Sequence, residues 1–157
     1  MKKVVVLVDV QNIYYTSKQI FRRHFDYNEF WKQATNGRQV VKAIAYAIDR
    51  GDKKQKEFQN ILRAIGFEVK LKPFIQRSDG SAKGDWDVGI TIDALEYGSQ
   101  ADAVVLASGD GDFDLLAESL RKKGKQVEVY GVSKLTAASL IAEATKFIPI
   151  EGELLIR

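Results

Sequence analysis

Aspartates follow two apolar runs of the sequence at the point where each run ends. Asp9 comes directly after residues 4–8, and Asp110 and Asp112 come shortly after residues 103–107. Both runs are short and rich in β-branched residues, which is typical of strands buried in a parallel sheet. Because α/β sheets bind ligands beyond the carboxyl ends of their strands, these acids are predicted to lie on one rim.

The residue types on this rim indicate a metal site. Asn12 and Asp87 are candidates to join it, since Asn12 follows the first strand and Asp87 lies at the start of the segment 86–97. Two carboxylates about 4 Å apart repel by about 4 kcal/mol at an effective dielectric near 20, so a cluster must raise its pKa values or bind a cation. Oxygen ligands suit Mg²⁺ or Mn²⁺, and a chain with no cysteine and one histidine is a poor zinc binder. Such a site indicates phosphodiester hydrolysis.

Each of these acids also has a structural explanation. Asp9 and Asn12 are suited to cap the first helix. Asp112 is suited to cap the helix that follows the strand at 103–107. Asp85 is better placed than Asp87 to cap the helix at 86–97, which leaves Asp87 as an acid that favours the helix dipole. Their joint occurrence after two separate buried strands favours a shared site.

Two further aspartates are predicted to stay outside the metal site. Asp93 lies six residues after Asp87, which places it about 120° around the helix and about 9 Å along its axis. Asp114 lies inside the following helix, where its charge favours the helix N-terminus. Gly109 and Gly111 are expected to let the backbone turn tightly and to keep side chains away from a substrate.

The elements that carry these residues alternate between strands and helices. Strands are predicted at residues 4–8, 40–48, 67–75, 103–107, 126–130 and 147–150, and helices at residues 12–24, 28–35, 53–65, 86–97, 112–123 and 136–143. The segment 86–97 fits both periodicities, and its ending at Gly98 favours a helix. The strand at 67–75 is expected near an edge, followed by a polar loop at 76–84. This order predicts one α/β domain over residues 1–157, with a mainly parallel sheet and helices on both faces.

Composition limits the remaining function classes. The chain has 157 residues and a net charge of +3, which fits one domain and gives only a weak indication of a polyanionic partner. No apolar run approaches the roughly 20 residues of a membrane span. The apolar stretch after Met1 ends at Asp9 and is too short for a signal peptide. We therefore expect a cytoplasmic protein without membrane association.

Basic side chains are predicted to flank the acidic rim. Arg50 and Lys53 follow the second strand, and Arg77 and Lys83 follow the third. They are candidates to hold phosphates on either side of a cleavage site. The run at 121–125 lies instead at the opposite end of the sheet, where it favours a helix C-terminus.

Aromatic residues next to the acids are candidates to stack unpaired bases. Trp86, Tyr14 and Tyr15 fit this role, and a core position is the equally simple explanation for Trp86 and Tyr14. Phe113 is expected to fill the core beneath the acidic loop.

Three segments together resemble the signature blocks of a known family. They are VLVDVQNI at residues 6–13, KGDWDVGITIDAL at 83–95 and LASGDGDFDLLAESLRKKGKQVEVYG at 106–131. Their order and spacing resemble the NYN domain, in particular its LabA-like group within the PIN-like nucleases. The resemblance implies a Rossmann-like, three-layer α/β/α sandwich with an acidic pocket that binds Mg²⁺ or Mn²⁺ and cuts RNA.

The resemblance also assigns roles by position. It implies catalytic and metal-binding roles for Asp9, Asp87, Asp110 and Asp112, and roles in orienting water or phosphate for Asn12 and Ser108. The family usually has one residue between the Lys-Gly and Asp-Val pairs, whereas Asp85 and Trp86 both intervene here. Asp85 is therefore an alternative ligand to Asp87, and Asp93 matches a further acid of the family.

The leading hypothesis is a metal-dependent ribonuclease whose partner is RNA. An RNA-binding or regulatory module with weak or no catalysis is the alternative. A phosphohydrolase of small esters is disfavoured because Asp9-Val10-Gln11 lacks the second acid of an Asp-x-Asp pair. The sequence is compatible with a homodimer.

Overall fold

A six-stranded sheet positions the predicted rim. The computed structural model describes residues 1–73, 75–76, 82–83 and 85–157, with side chains for 1–73 and 85–157. In chain order the elements are β1 (Lys2–Asp9), α1 (Val10–Phe21), α2 (Tyr27–Thr35), β2 (Arg38–Asp49), α3 (Lys53–Ile65), β3 (Glu68–Pro73), β4 (Ile75–Gln76), β5 (Ala82–Lys83), α4 (Asp87–Gly98), β6 (Ala103–Ala107), α5 (Asp114–Lys122), β7 (Gln126–Gly131), α6 (Ala138–Glu143) and β8 (Lys146–Pro149).

The sheet has the order β3-β2-β1-β6-β7-β8 and every pairing in it is parallel. The chain builds outward from β1 to the β3 edge and then, after α4, outward from β6 to the β8 edge. The direction reverses between β1 and β6, which makes this the switch point where α/β sheets bind ligands. The predicted α/β fold class is confirmed, and β3 lies at an edge as its alternating pattern indicates.

Two hydrophobic cores cover the two faces of the sheet. Because side chains alternate along a strand, Val6 packs on one face of β1 and Leu7 on the other. The first face is covered by helices α1 to α3, and the second by α4 to α6. All residues from Val4 to Val8 are fully buried, which explains why β1 reads as a continuous apolar run.

Three of the predicted helices have wrong boundaries. Helix α1 covers Val10–Phe21 rather than 12–24, because Arg22 takes a left-handed conformation with φ 55° and ends the helix. The segment predicted as a helix from residue 112 begins with a 3-10 turn at Gly111–Phe113, since Asp110 caps that turn. Thr136 precedes α6 and donates its hydroxyl hydrogen to Val132 O at 2.8 Å instead of joining the helix.

The segment predicted as a polar loop contains regular structure. Strands β4 and β5 pair antiparallel and form a ribbon of their own. Arg77 lies outside the described residues, and for Lys83 the structure describes the backbone alone. None of the helices in the described part of the chain has the length and hydrophobicity needed to cross a membrane.

Candidate active site

The two central strands bring Asp9 and Ser108 together at the switch point. Val8 pairs with Ala107, so the next residues along β1 and β6 end these strands side by side. Ser108 is fully buried and donates its hydroxyl hydrogen to Asp9 Oδ2 at 3.2 Å. Asp9 Oδ1 accepts the Asn12 N–H at 3.4 Å, which caps α1. The capping and site explanations of Asp9 are therefore compatible.

Three other carboxylates form a cluster beside this pair. Asp87, Asp110 and Asp112 each present an oxygen within 4.8 Å of the other two. Asp110 Oδ1 also accepts the Asp112 N–H at 2.9 Å, which fixes the spacing of the two acids. We call these three residues the acidic cluster. None of the salt bridges formed within residues 1–73 and 85–157 involves the acidic cluster.

Asp87 reaches the cluster because α4 begins at the rim. Trp86 anchors this helix start by donating its indole N–H to Ala47 O, at 2.9 Å, at the end of β2. Gly89 lies against the Trp86 ring, where an added Cβ would approach the ring to 2.7 Å. Asp85 is exposed, and its Oδ1 accepts the Asp87 N–H at 3.3 Å. The geometry therefore places Asp87, rather than Asp85, in the acidic cluster.

Burial and mutual repulsion raise the pKa values of two of these acids. Burial raises the pKa of Asp9 to about 6, and repulsion from Asp110 adds to it, while the hydrogen bonds from Asn12 and Ser108 oppose it. For Asp87, burial, then repulsion from and a hydrogen bond with Asp110, raise the pKa to about 7. A divalent cation would remove this electrostatic cost.

A second chain of contacts closes the loop after β6. Asn12 Oδ1 accepts the Gly109 N–H at 2.9 Å, and Ser108 Oγ accepts the Asp110 N–H at 3.2 Å. A Cβ at Gly109 would lie 3.0 Å from Leu135 O. Gly109 and Gly111 both have negative φ, so a left-handed backbone conformation is not what requires a glycine at either position. The segment between β7 and α6 packs closely against this loop and requires the glycines there.

Asp93 lies on the same helix as Asp87 in a different environment. Its Oδ2 accepts hydrogen bonds from Tyr46 Oη and from Lys70 Nζ, both at 2.8 Å. Burial and the hydrogen bond to Asp93 raise the pKa of Tyr46 well above its usual range. Tyr46 and Lys70 are not predictable from the sequence as partners of Asp93, because nothing in their local patterns links them to it.

The predicted substrate side chains are distributed unevenly around the site. Arg50 and Lys53 lie exposed on the rim, and Arg50 Nη2 donates to Tyr15 Oη at 3.5 Å. Trp86 is half-buried, and its ring packs against Tyr46 and beneath Lys72 Nζ, 4.5 Å from the ring centre. These contacts favour the structural explanation of Trp86. Phe113 is fully buried in the core.

The chemistry of the acidic cluster fits a divalent metal. Three carboxylates supply hard oxygen ligands, as Mg²⁺ and Mn²⁺ require, and the chain has no cysteine for a softer site. Asp112 is exposed while Asp87 and Asp110 are half-buried, so the cluster is open to solvent on one side. A metal held here remains accessible to a substrate.

Comparisons with known proteins agree with this architecture. The chain is 27% identical to the "Low amplitude and bright protein LabA" of Synechococcus elongatus over an alignment of 156 residues, and the match covers 94% of this chain and 83% of that protein. It is 54% identical to a crystal structure of a protein of unknown function, VPA0982 from Vibrio parahaemolyticus, with a TM-score of 0.94 over 99% of this chain and 96% of that one. A model of the NYN domain matches residues 3–151. This chain therefore belongs to the NYN domain family.

Proposed function

We propose that this protein is a metal-dependent ribonuclease that hydrolyses RNA phosphodiester bonds at the acidic cluster. The observation that carries the proposal is the convergence of Asp87, Asp110 and Asp112 to within 4.8 Å at the switch point of the sheet. Like charges at this separation destabilise the folded chain unless a bound ligand offsets their repulsion. The likeness of NYN domains to PIN-like nucleases supports the same reaction.

In this proposal the acidic cluster holds Mg²⁺ or Mn²⁺, which supplies Lewis acidity and an activated water. Asp9 and Ser108 position the cluster, because Ser108 links the Asp9 carboxylate to the Asp110 N–H. Asn12 holds the loop through the Gly109 N–H. The chain's own contribution is thus to keep the carboxylates converged before substrate arrives.

Basic residues at the rim support RNA as the substrate. Arg50 and Lys53 are exposed near the start of α3, at the same carboxyl end of the sheet as the acidic cluster. Contacts of this kind hold phosphates without reading sequence. We propose the same phosphate-binding role for Lys83 on the basis of its position in the sequence. An RNA substrate agrees with the expected cytoplasmic location.

A cleavage assay tests the proposal with a matched pair of variants. Labelled single-stranded and structured RNA, and DNA of the same sequence, are incubated with the protein in Mn²⁺, in Mg²⁺ and in EDTA. Asp110→Asn removes one charge from the cluster, whereas Asp114→Asn removes one charge four residues later, from the first turn of α5. We expect metal-dependent cleavage of RNA by the wild type and by Asp114→Asn, and none by Asp110→Asn.

Thermal unfolding supplies a readout that is independent of turnover. Mn²⁺ should raise the Tm of the wild type and of Asp114→Asn but not that of Asp110→Asn, because only the cluster binds the ion. Equal background cleavage by wild type and Asp110→Asn at every metal concentration would contradict the enzyme proposal.

An RNA-binding module without turnover is the second candidate. It is favoured by the structural roles of Asp9 and Asn12, which cap α1 and hold the loop after β6. Such a module keeps this part of the site for folding alone. It would bind RNA equally well with and without metal, with a steep dependence on salt and no cleavage.

A further inference from the structure

The outer face of α1 carries aromatic and basic side chains that the folded core does not use. Tyr14 is 39% exposed and Tyr15 is 49% exposed, although large aromatic side chains are usually buried. Lys18 lies one turn after Tyr14 on α1, Arg22 and Arg23 follow at the end of the helix, and all three side chains are exposed. Rings and cations therefore share one solvent-facing strip.

This strip connects with the rim of the candidate active site. Asp9 caps the N-terminus of α1, and Arg22 ends the helix, about 20 Å further along at 1.5 Å per residue. Tyr15 joins the two regions because its hydroxyl accepts a hydrogen bond from Arg50, which lies directly after β2 on the rim. An RNA strand that enters the acidic cluster can therefore continue along the surface of α1.

The far end of the strip forms an open hollow of about 370 Å³. It is lined by Lys18, Gln19, Arg22, Arg23 and His24. The Tyr14 ring stacks on His24 with 5.7 Å between the ring centres, and its hydroxyl accepts a hydrogen bond from Lys18 Nζ at 3.2 Å. The sequence contains no Asp or Glu from residue 10 to residue 25, so no acid within this stretch offsets the charge.

Helix α5 shows what a purely structural basic end looks like. Basic residues at a helix C-terminus favour the dipole, and this explanation applies to both helices. In α5, however, Arg121 pairs with Glu143 and Lys122 pairs with Glu118, both at 2.7 Å. None of the salt bridges in the part of the chain with described side chains involves Lys18, Arg22 or Arg23. The charge on α1 remains available to a polyanion.

We propose that this strip binds single-stranded RNA and guides it to the acidic cluster. We call it the α1 tract, and its residues are Tyr14, Tyr15, Lys18, Arg22, Arg23 and His24. Exposed rings stack on unpaired bases, and spaced cations hold successive phosphates. Duplex RNA hides its bases, so the two tyrosines select the single-stranded form. The inference rests on the proposed function, since it supplies the substrate path for that site.

Binding measured without metal tests the α1 tract separately from cleavage. Fluorescence anisotropy with a labelled single-stranded RNA in EDTA compares Arg22→Gln/Arg23→Gln with Lys122→Gln/Lys123→Gln. Both double variants remove two charges at a helix C-terminus. Only the α1 variant should weaken binding, and the slope of log affinity against log salt should become shallower by about 1.4, at about 0.7 per phosphate contact.

The tyrosines are tested in the same assay. Tyr14→Leu/Tyr15→Leu should lower affinity for single-stranded RNA at least about fivefold and leave the salt slope unchanged. Tyr97→Leu, which removes a ring from α4, should bind like the wild type. Unchanged far-ultraviolet circular dichroism and Tm confirm that each variant folds.

Several outcomes would overturn the α1 tract. They are equal weakening by the two charge variants, tighter binding of duplex than of single-stranded RNA, and binding of anionic lipid vesicles without binding of RNA. Cleavage by Arg22→Gln/Arg23→Gln with an unchanged KM would contradict the proposed role of the α1 tract but not the proposed nuclease activity. RNA binding that depends on the α1 tract, without cleavage in Mn²⁺, would contradict the proposed nuclease activity but not the proposed role of the tract.

Discussion

Helix α4 carries two aspartates whose surroundings differ completely. Asp93 is 8% exposed and accepts hydrogen bonds from Tyr46 and Lys70. Asp87 faces Asp110 and Asp112, and its pKa rises to about 7 through burial and then through repulsion from and a hydrogen bond with Asp110. One acid is compensated by its neighbours, and the other is placed among like charges.

The difference separates acids that serve the fold from acids that serve a site. A buried carboxylate that contacts a cation and a hydroxyl has its charge and hydrogen bonds satisfied, and removing one partner leaves the others uncompensated. A cluster of carboxylates costs stability, and a chain keeps such a cost where a ligand offsets it. Opposite responses to mutation are therefore expected from two residues that lie six positions apart.

Asp87→Asn should produce the largest effect, which is on activity. Loss of one ligand from the acidic cluster should lower metal-dependent RNA cleavage at least about 1,000-fold in kcat/KM. The metal-free protein should unfold at the same Tm or a higher one, since the substitution removes repulsion from Asp110. Cleavage kinetics and thermal unfolding in EDTA measure the two effects. A loss of activity that follows a loss of Tm would place Asp87 with the fold.

Asp93→Ala should produce the converse result. The substitution leaves the buried Tyr46 hydroxyl and the Lys70 ammonium without their shared acceptor, which should lower the free energy of unfolding by about 3 kcal/mol. Lys70 is partly solvated and limits the loss. Activity per folded molecule should stay near that of the wild type. Urea titration measures the stability, and Asp93→Asn, which keeps one acceptor, should lose less.

The sequence contained enough information for one side of this comparison. Asp9, Asp110 and Asp112 were predicted to share a rim because each follows a buried β-branched run, and the topology of parallel sheets fixes where such runs end. The strand at 103–107 has the predicted bounds. Local pattern and a general topological rule were sufficient for these elements.

The other side depends on tertiary contacts that no local pattern records. The Asp93 partners come from β2 and β3, and their meeting requires the pairing of Tyr46 with Lys70 in the β2–β3 register. Likewise, Gly111 at the start of the 3-10 turn lies against Ala137, which belongs to the segment before α6. These contacts join segments that are far apart in the sequence.

The pH dependence of the free energy of unfolding should show directly what it costs to bury the ionised Asp9 carboxylate. Its pKa is raised from 3.8 to about 6, so the folded state binds the proton more tightly than the unfolded chain. The resulting stability is complete below pH 3.8 and is lost as the pH rises through about 6. Between pH 5 and pH 8 the metal-free wild type should lose about 1 to 1.5 kcal/mol more than Asp9→Asn. Urea titrations at both pH values in EDTA measure this difference, and parallel curves for the two proteins would contradict it.

Asp85→Asn should have the smallest effect and sharpen the comparison within the segment that begins α4. Asp85 is exposed and contributes a hydrogen bond to the Asp87 N–H at 3.3 Å, together with repulsion that raises the pKa of Asp87. Asn keeps an acceptor for the Asp87 N–H, so the substitution removes only the charge, and RNA cleavage should change by less than about fivefold, because an exposed charge contributes at most about 1 kcal/mol. Kinetics beside Asp87→Asn provide the test. If Asp85→Asn were as inactive as Asp87→Asn, the inserted acid would be a ligand and the start of α4 would have to shift when metal binds.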